Sequence, residues 1–118
     1  ATFDFKCWFY QLPLSDEVAN SACFRLPSGW MQLLVGPMGH KNMVYVAHTI
    51  TAFLARHATR SLPTVTADVI TDNVAFFGTN LQDLLVACSE FTSVCALVSA
   101  TIGESTPPAA VELTEAGL

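Results

Sequence analysis

Basic residues are scarce in this sequence: five lysines and arginines stand against ten acids, for a net charge of −5. A segment so acidic does not grip a phosphate backbone by itself, because neutralising phosphates takes a basic surface. Charge of either sign is sparse, at 13% of residues against a typical ~25%. With 52% of residues hydrophobic, most side chains must lie inside or against something, which excludes disorder for the bulk of the chain. No apolar run reaches the ~20 uninterrupted residues that cross a bilayer. The greasiest stretch, residues 43–54, carries His48, Thr49 and Thr51 and reads as a buried helix, so no membrane partner is expected. The four cysteines, Cys7, Cys23, Cys88 and Cys95, include no C-x-x-C pair and have apolar neighbours, in the manner of small buried hydrophobes. Without a zinc or disulfide framework, a reducing cytoplasmic or nuclear setting is expected. His40, His48 and His57 lack metal-ligand spacing and read as surface or satisfied helical residues. The start has no basic, apolar and small-residue succession of a secretory signal; it opens inside a strand-like run, as a piece of a longer polypeptide would.

What is present fits one domain, since 118 residues can bury roughly two-thirds of the surface of the unfolded chain. Residues 1–14 mix Phe3, Phe5, Trp8, Phe9 and Tyr10 with a lone acid, Asp4, and end near Pro13, a strand running into a turn,. Ser15-Asp16-Glu17 signals a short helical turn,. Residues 22–26 and 30–35, joined through Pro27-Ser28-Gly29, read as a hairpin,. Residues 42–57 hold no Gly or Pro and read as a helix. Residues 65–70 and 74–77 flank Thr71-Asp72-Asn73, a second hairpin with an acid at its tip,. Leu81, Leu84, Leu85, Cys88, Phe91 and Cys95 recur at helical spacing behind Thr79 and Asn80,. A last strand is expected at residues 98–102, with 1–104 forming the domain and 105–118 a linker or the start of another element. The predicted class is α+β: an antiparallel sheet packed against helices on one face, a ferredoxin-like layout.

On this layout sit four motifs. Phe3-Asp4-Phe5-Lys6-Cys7-Trp8-Phe9-Tyr10-Gln11-Leu12-Pro13-Leu14 resembles the first catalytic motif of reverse transcriptases, an aspartate followed five residues later by an aromatic and then by a Q-[ILV]-P-[LV]-like run. Ala22-Cys23-Phe24-Arg25-Leu26-Pro27-Ser28-Gly29-Trp30 is similar to that family's "aF-x-x-P-x-G" hairpin, and Gly36-Pro37-Met38-Gly39-His40-Lys41-Asn42 to its "m-P-F-G-L-K-N" segment. Ile70-Thr71-Asp72-Asn73-Val74-Ala75-Phe76-Phe77-Gly78-Thr79-Asn80 resembles "Y-x-D-D-i-l-v-f-s-x-n". The order is the family's, and the wording is similar to retrotransposon enzymes of DIRS-like, VIPER-like or long-terminal-repeat type.

The resemblance implies the polymerase palm, an RNA-directed DNA polymerase. Asp4 and Asp72 would be catalytic and hold two Mg²⁺ (or Mn²⁺) ions, with Asn73 beside them. Hard cations of this kind favour carboxylate oxygens, and a sheet can join acids 68 residues apart in sequence. The resemblance further implies that Phe9 discriminates against a ribose 2′-hydroxyl, and that Phe5, Met38 and Lys41 lie at the nucleotide. Arg25 and Gly39 would meet the nucleic acid. The implied partners are an RNA or DNA template-primer, deoxynucleoside triphosphates, and the fingers, thumb and ribonuclease H of the same polymerase, which would supply the missing positive charge.

Four positions depart from the family. Ile70 stands for Tyr and Asn73 for a second Asp, though negative-strand RNA virus polymerases are similar in using G-D-N at this turn. Met43-Val44 replaces the usual small residue and proline. Two other readings remain open here: a degenerate relic serving as a structural or interaction module, and an unrelated ferredoxin-like binding domain. Asp68 shares a sheet face with Asp72 by the two-residue strand period, as a further ligand or a solvated neighbour.

Overall fold

A computed structural model describes residues 1–36 and 41–109, the Lys41 side chain excepted. Four strands, β1 (Thr2–Phe5), β4 (Val65–Ile70), β5 (Asn73–Gly78) and β6 (Ile102–Thr106), form one sheet in the order β4-β5-β1-β6. Every neighbouring pair is antiparallel. Strands β2 (Cys23–Leu26) and β3 (Gly29–Gln32) form a separate two-stranded sheet. Among the described residues there are three α-helices, α1 (Asp16–Ser21), α2 (Lys41–Ala58) and α3 (Leu81–Leu97). The α+β class is as predicted.

Alternation along each strand explains how the large sheet packs. Phe3 and Phe5 of β1, Val74 and Phe76 of β5 and Val65 of β4 bury their side chains in one core with Ala47, Leu54, Ala55 and Ala58 of α2 and with Leu84, Ala87, Phe91, Val94 and Cys95 of α3. Phe91 is fully buried, and its ring lies 4.9 Å from Phe3, 5.9 Å from Phe5 and 5.3 Å from Phe76, centroid to centroid. Aromatic clusters at such separations add to area burial. The opposite face of the sheet presents Asp4, Asp68, Ile70, Asn73 and Phe77, of which Ile70 is 68% exposed.

Local signals set the boundaries. Ser15 Oγ accepts from the Val18 amide and starts α1; Asn80 Oδ1 accepts from Gln82 and Asp83 amides at 3.0 and 3.3 Å and starts α3, as short polar caps do. Several expectations are corrected. The opening strand stops at Phe5, because Cys7 turns left-handed (φ 47) and Trp8–Gln11 winds into a 3₁₀ turn. The last strand is Ile102–Thr106, not 98–102, because α3 runs on to Leu97 and the chain reverses through Ser99 (φ 61). That strand carries the sheet two residues past the expected domain boundary at 104. Cys7 and Cys23 are exposed, against the expectation that all four cysteines are buried. Among the described residues no helix is long and apolar enough to cross a membrane.

Candidate active site

The two-residue strand period puts Asp4 on the face opposite Phe3 and Phe5,. Cross-strand register then sets its neighbours. Asp4 stands opposite Asn73 of β5 on one side and Glu104 of β6 on the other. Ile70 pairs with Asn73, so Thr71 and Asp72 alone form the tip of the β4–β5 hairpin. The tip is tied to β1, since the Phe5 amide donates to the Asp72 carbonyl at 3.0 Å. Asp4 and Asp72, distant in sequence, are thus adjacent in the fold.

The electrostatics at Asp4 are unfavourable in the bare protein. Its carboxyl is pushed above the ordinary carboxylate range, first by burial, then by the negative charges of Asp72 and Glu104 and by a carboxyl–carboxyl hydrogen bond with Asp72. All four act against the charged form. Asp4 Oδ1 is buried and has no hydrogen-bond partner, a condition that calls for an explanation wherever it occurs. Asp72 Oδ1 accepts a 3.3 Å hydrogen bond from Asn73 Nδ2.

A cavity of about 320 Å³ opens beside Asp72, lined by Cys7, Trp8, Phe9, Tyr10, Thr71 and Asp72 itself. Phe9 reaches it because the 3₁₀ turn redirects the chain after β1. Gln11 fastens that turn: its side-chain amide donates to the carbonyls of Lys6 and Thr101, and its Oε1 accepts from the Thr101 amide at 2.7 Å. Below the cavity the Trp8 ring stacks on Phe5, centroids 4.1 Å apart.

The expected site residues therefore divide. Asp4, Asp72 and Asn73 come together, and Phe9 shares a cavity with Asp72. Phe5 does not join them: it is 4% exposed and its ring is in the core, because neighbours along a strand face opposite ways,. Arg25 lies on the exposed two-stranded sheet opposite Trp30, apart from the cavity. Met38, Gly39 and the Lys41 side chain lie outside the described residues. Asp68 stands opposite Ala75 on the face that carries Asp4. Sequence reasoning missed Glu104, which the misplaced last strand left unassigned, and two residues of α2, His48 and Thr51. The Thr71 amide donates to His48 Nδ1 at 3.3 Å, and Thr51 Oγ donates to the Thr71 carbonyl at 2.6 Å. Thr71 has φ 50, an outlier for a β-branched residue, and such conformations cost about 1–3 kcal/mol and persist only where their surroundings impose them.

Two adjacent carboxylates, one with an unpartnered oxygen, fit a divalent cation, which would offset the repulsion that burial and proximity create. Among the described residues no group of three or more His, Cys, Asp or Glu side chains is arranged to hold a metal ion.

No family model matches the sequence, and no curated protein matches it. Among solved structures, the crystal structure of prototype foamy virus protease-reverse transcriptase is similar, with a TM-score of 0.69 over 86% of this chain at 13% identity. The chain spans 13% of the length of that protein. The likeness is one of fold.

Proposed function

We propose that this chain is the palm of a retrotransposon reverse transcriptase and that Asp4 and Asp72 hold the divalent cations of nucleotidyl transfer. The observation that carries the reading is the Asp4 carboxylate, with a buried and unpartnered Oδ1 beside the Asp72 carboxylate on the uncovered face of the sheet. The fold likeness to a retroviral polymerase agrees with it.

Asp4 and Asp72 would hold two Mg²⁺ ions, which when bound would supply activation of the primer 3′-oxygen and charge stabilisation of the leaving pyrophosphate. The residues of the chain have separate tasks. Asp4, on a strand inside the sheet, supplies a rigidly placed oxygen, while Asp72 supplies the second from the hairpin tip. Asn73 brings an amide oxygen without charge, so it helps orient a bound water and adds nothing to cation attraction. Phe9, in the cavity beside Asp72, is the surface on which the sugar of a deoxynucleotide rests and against which a 2′-hydroxyl clashes. Lys41, at the start of α2, and Arg25 are candidates for phosphate contacts, and Met38 and Gly39 for nucleotide and template. Fingers, thumb and ribonuclease H supply the positive charge that five Lys and Arg cannot,. The setting is the cytoplasm or nucleus.

Primer extension by the full-length polymerase with Mg²⁺ or Mn²⁺ tests the reading. Asp4→Asn and Asp72→Asn should each abolish it, and activity surviving either change refutes the assignment. A second reading is favoured by Asn73 and Ile70, which replace an acid and a tyrosine of the motif: a relic that keeps the fold as an interaction module. It predicts no extension by the native polymerase under any cation.

A further inference from the structure

Thr51 is the one buried polar side chain among the described residues, with no exposed surface at all. Its hydroxyl carries one proton and two lone pairs. Trp8 Nε1 donates to it at 2.9 Å, and two carbonyls are within its reach, Thr71 at 2.6 Å and Ala47 at 2.8 Å. The contact to Ala47, four residues earlier, is one any helical threonine can make. The contact to Thr71 leaves the helix and crosses to the hairpin tip. One turn earlier on the same face of α2, His48 Nδ1 accepts from the Thr71 amide at 3.3 Å,. Both backbone polar groups of Thr71 are therefore bound by α2, and Thr71 is the residue with positive φ immediately before Asp72.

The contacts continue in both directions. Beyond Asp72 the tip is tied to the Phe5 amide beside Asp4. On the other side Trp8 precedes Phe9 in the 3₁₀ turn that lines the cavity. A single buried hydroxyl thus connects the element bearing Phe9 with the turn bearing Asp72.

We propose that Thr51 and His48 are positioning residues: by clamping the carbonyl and the amide of Thr71 they hold the left-handed turn that sets the Asp72 carboxylate against Asp4. The part of this that concerns cations rests on the function proposed above; the part that concerns the turn does not. The clamp explains why a β-branched residue can occupy a conformation that suits glycine. It also explains why a hydroxyl is retained inside an otherwise apolar core.

The test compares the full chain with Thr51→Val, which keeps the shape and removes the hydroxyl, Thr51→Ser, which keeps the hydroxyl, and His48→Ala. Amide hydrogen exchange reports the turn, and Mn²⁺ titration followed by electron paramagnetic resonance reports the pair. Thr51→Val should speed exchange at Thr71 and Phe5 at least tenfold while Phe91 in α3 stays protected, and should weaken Mn²⁺ binding about tenfold; Thr51→Ser should restore both. Exchange at the tip within twofold of the native chain in both Thr51→Val and His48→Ala overturns the proposal. Should Thr51→Val unfold the sheet, His48→Ala, altered at an exposed side chain, carries the same expectation for the Thr71 amide. If native chain and Asp4→Asn take up Mn²⁺ alike, the cation reading fails while the exchange rates still decide the clamp.

Discussion

Replacing Asp4 by Asn should make this protein more stable at neutral pH. Asp4 is hemmed in by Asp72 at the hairpin tip and by Glu104 across the β1–β6 pairing, and its pKa is raised by burial and by both charges. Side chains opposite one another on antiparallel strands have Cβ atoms about 5 Å apart, and like charges placed so are destabilising by up to ~1 kcal/mol. Coulomb's law gives roughly the same figure at that distance in a water-like dielectric. An amide of the same shape removes the repulsion and the cost of burying a charge, for an expected gain of about 1 kcal/mol, or a rise in Tm of roughly 3–6 °C for a domain this small. The pH dependence follows from linkage. A carboxyl whose folded pKa lies above its unfolded value binds its proton more tightly in the folded state. Its penalty is absent at pH below the unfolded value of ~3.9, grows as pH rises toward the folded pKa, and is complete above it. Urea unfolding of native chain and Asp4→Asn at pH 7 should show the gain as a shift in midpoint at constant slope, and the two curves should converge near pH 4. Added Mg²⁺ or Mn²⁺ should stabilise the native chain alone and narrow the gap. Destabilisation by Asp4→Asn at pH 7, or a gain that is the same at pH 4 and pH 7, would refute the electrostatic argument. A stabilising substitution that abolishes activity is the expected signature of a residue kept for function.

Phe91→Ala removes the ring that meets Phe3, Phe5 and Phe76, and should cost about 3–5 kcal/mol; calorimetry checks it, and a loss below about 1 kcal/mol would mean the site collapses around the gap. On the function proposed above, Phe9→Ala in the full-length protein should raise ribonucleotide incorporation relative to deoxynucleotide by at least about tenfold, equivalent to about 1.4 kcal/mol of discrimination. Single-nucleotide extension measures that ratio, and an unchanged ratio removes Phe9 from the nucleotide site.

The types and order of the elements were legible because they follow from local periodicity and capping. Asn80 ahead of a run of Leu, Ala and Cys marks the start of α3, and the apolar stretches 65–70 and 74–77 on either side of Thr71-Asp72-Asn73 mark the β4–β5 hairpin, whose second strand in the fold begins at Asn73. The outward placement of Asp4 was equally legible from the period of two, and the same period puts Phe5 in the core, where its assignment to the nucleotide does not hold. The end of α3 was not, because the left-handed reversal at Ser99 is made by a residue with no Gly or Asn signature,. Strand partners are a different matter, since hydrophobic patterns say which face is buried and not which strand lies alongside. Only the tertiary structure set Glu104 beside Asp4, and only it brought His48 and Thr51 of α2 to the backbone of Thr71, a meeting between elements 20 residues or more apart that no local pattern encodes. The sequence decided which groups were available; the packing of α2 against the sheet decided which of them met.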